Sequence, residues 1–230
     1  GRDKFEDIKP NPVKLVADEP VSTFSVDVDT ASYSFIRRQL NQGVLPQKDA
    51  VRTEEMINYF DYDYPQPESR EIPFKASVVV SDSPWKKGNK LIHIGIRGYD
   101  LPREQMPASN LVFLLDTSGS MDSPDKLPLV KQSMGLLLGQ LKATDTVAIV
   151  AYAGAAGTVL EPTPAGDKQK ILAALDRLSA GGSTAGGEGI KLAYQLAKSS
   201  FNKQAVNRVI LATDGDFNVG ITNQEELKGF

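Results

Sequence analysis

The sequence predicts an α/β protein: a doubly wound, mostly parallel sheet in three layers, preceded by a smaller α+β region. The first observation is a set of short apolar runs without alternation, at 111–115, 147–151 and 209–212. Such runs are typical of strands that are buried on both faces of a parallel sheet. The second observation is that amphipathic helical patterns lie between these runs, which favours right-handed crossover connections.

The composition is that of a globular chain, and it excludes several classes of function. Of the 230 residues, 40% are apolar and 24% are charged, and the formal net charge is -3. No bulk positive charge is available to gather phosphates, so we do not expect a nucleic-acid partner. The chain has no cysteine, which excludes disulfides and thiolate metal sites, and it has a single histidine, His93. No apolar stretch approaches the roughly 18 residues of a membrane span, so we expect none in this chain.

Residues 1–108 form the predicted N-terminal α+β region. Val26 and Val28 alternate with polar residues, which predicts a half-buried strand over residues 23–29. Helical spacing and further alternation predict four more elements, namely helices over 31–41 and 52–60 and the two strands of an antiparallel hairpin over 74–80 and 91–96. In the second of these helices, Met56, Ile57 and Phe60 are expected to point inward.

The boundary between two domains is predicted within the proline-containing segment 99–109, so we expect the second domain to cover residues 109–230. Apolar residues at helical spacing predict three helices in that domain, over 127–141, 171–178 and 190–197.

Oxygen-bearing side chains follow the buried strands. Asp116 comes directly after the apolar run at 111–115, and Asp214 comes one residue beyond the run at 209–212. Because ligands collect at the carboxyl ends of the strands in an open α/β sheet, we expect both carboxylates to face one crevice. Ser118 and Ser120 lie two residues apart on the turn after the first strand, and Thr184 lies in a glycine-rich loop. These three hydroxyls are candidates to join the carboxylates.

A site built only from oxygen atoms suits a hard divalent cation. Mg²⁺ or Mn²⁺ is the expected metal, because zinc would favour nitrogen or sulfur ligands. Ca²⁺ is disfavoured, since the run that begins at Asp214 departs from a calcium loop at Val219, where glycine is needed. Two carboxylates roughly cancel the charge of the cation, which leaves it able to accept an acidic group from outside. The pattern therefore predicts protein binding rather than catalysis.

The string Asp116-Thr117-Ser118-Gly119-Ser120, with Thr184 and the later Thr213-Asp214-Gly215, resembles the metal-ion-dependent adhesion site of von Willebrand factor type A domains. The resemblance implies metal ligation by Ser118, Ser120 and Thr184. It also implies that Asp116 and Asp214 bind directly or through water, and that an Asp or Glu of a protein partner fills an open position.

This resemblance covers about residues 109 to 230. A full domain of the type has further strands and helices after the Asp214 loop, so we expect the C-terminal part of the domain to be missing. An uncovered sheet edge should then favour self-association.

The upstream segments 24–33 and 54–60 resemble the N-terminal region of bacterial cell-envelope lipoproteins that carry such a domain. This likeness implies an extracytoplasmic location in the cell envelope, either the periplasm or the cell surface.

Other interpretations remain open at the level of sequence. Asp27-Val28-Asp29-Thr30 is similar to the nucleophile motif of haloacid dehalogenase-type phosphohydrolases, so the alternative function is a metal-assisted phosphohydrolase that uses Asp27 or Asp116. Against the phosphohydrolase, Thr30 lies one position earlier than the threonine of that nucleophile motif. Asp29 or Thr30 would also serve as a cap for the following helix. An ordinary turn at Asp116, a cap at Thr184 or a site that stays empty are further alternatives. We expect a protein that is not an enzyme.

Overall fold

The computed structural model describes residues 11–23, 25–182 and 186–215. The chain divides into two compact units, Gly1–Leu101 and Pro102–Phe230. The boundary that we propose from the sequence lies later, between residues 108 and 109. Met106 and Ala108 precede the proposed boundary, but they belong to the second unit and bond to its later residues. Lys142 Nζ donates to the Met106 carbonyl at 2.6 Å, and the Val206 amide donates to the Ala108 carbonyl at 2.8 Å.

The described residues of the first unit form two α-helices and a two-stranded antiparallel sheet. Its elements are α1 (Ala31–Asn41), a 3₁₀ turn (Lys48–Ala50), α2 (Thr53–Asn58), β1 (Phe74–Asp82) and β2 (Lys90–Gly98). The hairpin predicted from the alternating runs is confirmed, with Val78 opposite Ile94.

The inward face of α2 differs from the prediction. Ile57 and Phe60, expected to point inward, are 45% and 50% exposed, whereas Glu55 is buried. The Glu55 carboxylate accepts a hydrogen bond of 2.8 Å from the backbone amide of Ser32, at the start of α1. The first amides of a helix lack partners within the helix, so this bond satisfies a donor of α1 and stabilises the inward position of the Glu55 side chain.

The half-buried strand predicted over residues 23–29 is wrong for the part of that segment that the structure describes. Residues 23 and 25–29 form no strand, and Val26 and Val28 are 64% and 76% exposed. Asp27 Oδ1 instead accepts a hydrogen bond of 2.9 Å from the Asp29 amide. The short polar side chains thus bond to the local backbone, which competes with pairing in a sheet.

The second unit contains a mixed, mostly parallel sheet with the strand order β5-β4-β3-β6. Its central strand β3 pairs in parallel with both β4 and β6, while β5 pairs antiparallel to β4. Strand β5 was not predicted; it carries Pro162 and Pro164 and lies at an edge of the sheet, where proline is tolerated. The strand bounds are β3 Ser109–Asp116, β4 Thr146–Tyr152, β5 Ala156–Pro164 and β6 Val206–Ala212.

Helices cover both faces of this sheet, which confirms the three-layer α/β class. Leu115 packs with residues of two helices on one face, and Leu114 packs with residues of a third helix on the other. This split follows from the alternation of side chains along a strand. No helix within the described ranges is long and apolar enough to cross a membrane. The helices are α3 (Leu127–Gln140) and α4 (Lys168–Asp176) on the first face, and α5 (Gly186–Ser199) on the second.

Strand β6 lies at one edge of the sheet formed by the described residues. Ile210 and Leu211 of this strand are 38% and 41% exposed. Self-association through this edge stays a prediction.

Candidate metal centre

The turn that leaves β3 is built around the carboxylate of Asp116, the last residue of the strand. Asp116 is fully buried, and its Oδ1 accepts a hydrogen bond of 2.8 Å from the Ser118 amide. The hydroxyl oxygens of Ser118 and Ser120 lie 3.1 Å apart. The Thr117 amide donates to the Tyr152 carbonyl at 2.9 Å, which fixes the turn against the end of β4. Three of the five predicted metal ligands therefore lie on one short turn.

The end of β6 lies beside this turn because β3 and β6 are parallel neighbours, with Leu115 opposite Ala212. The Thr213 hydroxyl donates a hydrogen bond of 3.3 Å to Oδ2 of Asp116, and it accepts one of 3.2 Å from the Gly215 amide. The threonine of the Thr-Asp-Gly string thus holds the buried carboxylate from the side opposite Ser118.

Asp214, the fourth predicted ligand, contacts Lys126, which was not predicted as a site residue. Its Oδ2 lies 2.7 Å from Nζ of Lys126, and the same Nζ donates to the Ser120 carbonyl at 2.9 Å. The lysine therefore connects Asp214 to the turn that follows Asp116. A basic residue ten positions after Asp116 was visible in the sequence, but no spacing rule indicates that its side chain returns to the turn.

The glycine-rich loop approaches the same turn through two backbone hydrogen bonds. The Gly119 amide donates to the Gly182 carbonyl at 3.1 Å, and the Gly181 amide donates to the Thr117 carbonyl at 2.8 Å. Gly182 has a φ of 83°, a conformation that favours glycine. Thr184, the fifth predicted ligand, lies outside the described residues.

Tyr152, at the end of β4, lies beside the strand ends that carry Asp116 and Asp214, and its side chain is fully buried. Burial raises the pKa of the Tyr152 hydroxyl well above its ordinary value, and a contact with the Thr213 side chain acts in the opposite direction. The negative charges of Asp116 and Asp214 raise this pKa further. Two carboxylates therefore act on this hydroxyl, and their negative charge suits a cation.

The donor set fits a hard cation held by hydroxyl and carboxylate oxygens. Asp116 supplies a buried carboxylate beside two adjacent serine hydroxyls, and Asp214 already binds a cationic group, the ammonium of Lys126. Within the described residues, no group of three or more His, Cys, Asp or Glu side chains could hold a metal. A site in this part of the chain must then depend on hydroxyls, as the serine pair would provide.

The phosphohydrolase alternative finds no support in the surroundings of Asp27. The aspartate lies in the first unit, where Asn58 Nδ2 donates to its carbonyl at 2.9 Å. The described residues around it form no strand, whereas the nucleophile motif requires one.

Two family profiles match the chain. The first, described as von Willebrand factor, matches residues 1–93, and the second, described as von Willebrand factor type A domain, matches residues 111–216. The second match runs from Leu111 in β3 through β6, and it includes the ends of β3 and β6 where Asp116 and Asp214 lie. The chain therefore contains a von Willebrand factor type A domain.

Similar proteins are found in bacteria. The uncharacterized protein YfbK of Escherichia coli (strain K12) is 47% identical over 234 residues, a match that covers 99% of this chain and 41% of that protein. The uncharacterized protein sll0103 of Synechocystis sp. is 36% identical over 107 residues, which cover 46% of this chain and 25% of that protein. The chain thus spans less than half the length of these relatives.

Among solved structures, the conserved hypothetical protein BatB from Bacteroides thetaiotaomicron is 29% identical. The match covers 48% of this chain and 55% of that chain, with a TM-score of 0.40.

Proposed function

We propose that this chain binds a protein partner through a divalent cation held at the end of β3 and β6. The proposed ligands are Asp116, Ser118, Ser120, Thr184 and Asp214, and Mg²⁺ or Mn²⁺ is the proposed metal. Type A domains are generally protein-interaction modules, which supports a binding role. The single observation that carries the metal is the pair of serine hydroxyls 3.1 Å apart beside a fully buried aspartate.

The residues of the crevice would hold such a cation in different ways. Asp116 supplies negative charge, and its two oxygens are oriented by the Ser118 amide and the Thr213 hydroxyl. Ser118 and Ser120 supply neutral oxygens, which add coordination without further negative charge. When bound, the metal supplies a positive charge that attracts an acidic side chain of the partner. We therefore propose a partner that presents Asp or Glu.

A role outside catalysis agrees with the side chains of the second unit. The single histidine of the chain, His93, lies in β2 of the first unit, with its Nε2 2.8 Å from the Tyr64 hydroxyl. The second unit therefore has no imidazole that could activate Ser118 or Ser120 as a nucleophile. The extracytoplasmic envelope location belongs to the same proposal, and it depends on the resemblance of the upstream segments alone.

Calorimetric titration tests the metal site directly. Mg²⁺ and, separately, Mn²⁺ are titrated into the wild type, into the double variant Ser118→Ala/Ser120→Ala, and into Ser133→Ala. Ser133 is an exposed serine of α3, so it is a matched control. We expect the wild type and the control to bind equally, and the double variant to bind at least about tenfold more weakly, or about 1.4 kcal/mol. Equal heats in all three proteins would contradict the site.

A peptide array tests the partner chemistry. Peptides are synthesised in pairs that differ only in a central Asp or Asn, or a central Glu or Gln, and are probed with the chain in Mg²⁺ or in EDTA. The proposal expects retention on acidic members in Mg²⁺ and loss of it in EDTA. Equal retention on the acidic and amide members of a pair, or equal retention in Mg²⁺ and in EDTA, would refute metal-bridged binding.

A further inference from the structure

We propose that Lys126 is an internal competitor of the divalent cation, and that metal binding displaces its ammonium from Asp214. This inference rests on the proposed function, because it concerns the regulation of the same site. In the protein without metal, Lys126 neutralises part of the negative charge of the crevice. The affinity for the metal is therefore lower than the oxygen ligands alone would give.

The position of the ammonium carries the inference. Nζ of Lys126 lies 2.7 Å from Asp214 Oδ2 and 2.9 Å from the Ser120 carbonyl oxygen. These two residues belong to the two strand ends that form the crevice, and both are proposed ligands. The side chain of Asp214 is 7% exposed, against 30% for Lys126. The ion pair is thus largely shielded from water at the carboxylate, where screening is weak.

The charge balance of the crevice explains why the two cations compete. Among the described residues of the crevice, Asp116 and Asp214 together carry two negative charges, and the Lys126 ammonium reduces this excess to one. A divalent cation that joined the lysine would reverse the sign of the site, and the two positive groups would repel one another at close range. Departure of the ammonium removes this repulsion and ends the contact of the lysine with Asp214 Oδ2.

The local backbone allows the side chain to leave without unfolding its surroundings. The Lys126 amide donates to the Ser123 carbonyl at 2.9 Å, and the Lys126 carbonyl accepts the Val130 amide at 2.9 Å. The main chain at the start of α3 is therefore fixed by its own bonds. Only the side-chain rotamers need to change, and lysine has a long, flexible stem suited to this movement.

Three variants separate this inference from the proposed function. Lys126→Met removes the charge and keeps a long side chain, whereas Lys126→Arg keeps the charge. Lys170→Met changes an exposed lysine of α4 and serves as the matched control. In Mg²⁺ titrations we expect Lys126→Met to bind about tenfold more tightly than the wild type, and the other two variants to stay within about threefold of it.

The outcomes distinguish the two claims. Tighter binding by Lys126→Met alone supports the competition. If the wild type and Lys126→Met bind equally, or Lys126→Met binds more weakly, the competition is refuted while the metal site stands. If none of the four proteins binds Mg²⁺, both claims fail.

A measurement on the wild type removes any dependence on the folding of a variant. The rate at which an N-hydroxysuccinimide ester of acetate modifies Lys126 is followed by peptide mass spectrometry, with saturating Mg²⁺ and with EDTA. We expect Mg²⁺ to increase the rate at Lys126 several-fold and to leave the rate at Lys170 unchanged. An equal rate at Lys126 in both conditions would overturn the displacement.

Discussion

The hydroxyl of Thr213 donates a hydrogen bond of 3.3 Å to Oδ2 of Asp116, so the end of β6 holds the carboxylate at the end of β3. The other oxygen of Asp116 accepts the amide of Ser118, and the side chain is fully buried. A buried carboxylate needs such donors because removal from water disfavours its charged form. Thr213 is thus a positioning residue for the crevice, although it is not among the proposed ligands.

Replacement of Thr213 by valine tests this role. The change keeps the shape of the side chain but removes the donor to Asp116 and the acceptor for the Gly215 amide. We expect the free energy of unfolding in urea to fall by about 1 to 3 kcal/mol, because a buried charged group loses a partner. Thr213→Ser restores the hydroxyl and should recover most of the loss. A valine variant as stable as the wild type would show that the bond is dispensable.

Close packing between α5 and the sheet gives a second prediction, at Gly189. A Cβ added there would lie 3.0 Å from Leu114 Cδ1 and 3.1 Å from Tyr152 Cβ, which is closer than ordinary contact. Alanine is intrinsically favoured over glycine in a helix by about 1 kcal/mol, but overpacking of a core costs about 1 to 3 kcal/mol. We expect Gly189→Ala to lower the melting temperature.

The control for this prediction is Gly139 of α3, where an added Cβ would meet nothing within 4 Å. Gly139→Ala gains helix propensity without a clash, so the melting temperature should rise. If the melting temperature of Gly189→Ala rises as well, helix propensity rather than the approach of α5 to the sheet decides the effect.

The raised pKa of Tyr152 leads to a third prediction, for alkaline pH. Because the folded pKa lies above the unfolded value of about 10, the folded state holds this proton more strongly. The stabilisation is fully present below about pH 10 and is lost as the pH rises towards the folded pKa. Tyr152→Phe has no such proton to lose.

Melting temperatures measured between about pH 8 and about pH 11 check this sign. The wild type should lose more stability over the range than Tyr152→Phe does. Tyr194→Phe, which changes a tyrosine that is 55% exposed, should follow the wild type. Parallel curves for the wild type and Tyr152→Phe would contradict the prediction.

The sequence was sufficient for the parts of the fold that one physical signal dominates. The unbroken apolar run at 111–115 predicts a strand buried on both faces, and β3 is buried on both faces. Parallel pairing then requires Asp116 and the Thr213-Asp214 pair to lie at one edge of the sheet, as they do. These predictions depend only on strand direction and periodicity, which side-chain details do not alter.

Other features could not be predicted because they depend on contacts that form only in the folded chain. The hydrogen bond between Ser32 and Glu55 turns a charged face of α2 inward, although apolar spacing favours Ile57 and Phe60. Strand β5 forms by pairing with β4, while its own prolines and mixed polarity indicate a loop. The return of Lys126 to the crevice likewise depends on where Asp214 lies after folding.

The two backbone hydrogen bonds between Gly181 and Thr117 and between Gly182 and Gly119 are present before any ligand arrives. The loss of conformational entropy on ordering these glycines, about 1 to 2 kcal/mol for each residue, occurs on folding. A partner that binds at the crevice does not have to order them again. This part of the rim is pre-organised, so contacts made there would contribute to affinity with little loss to ordering.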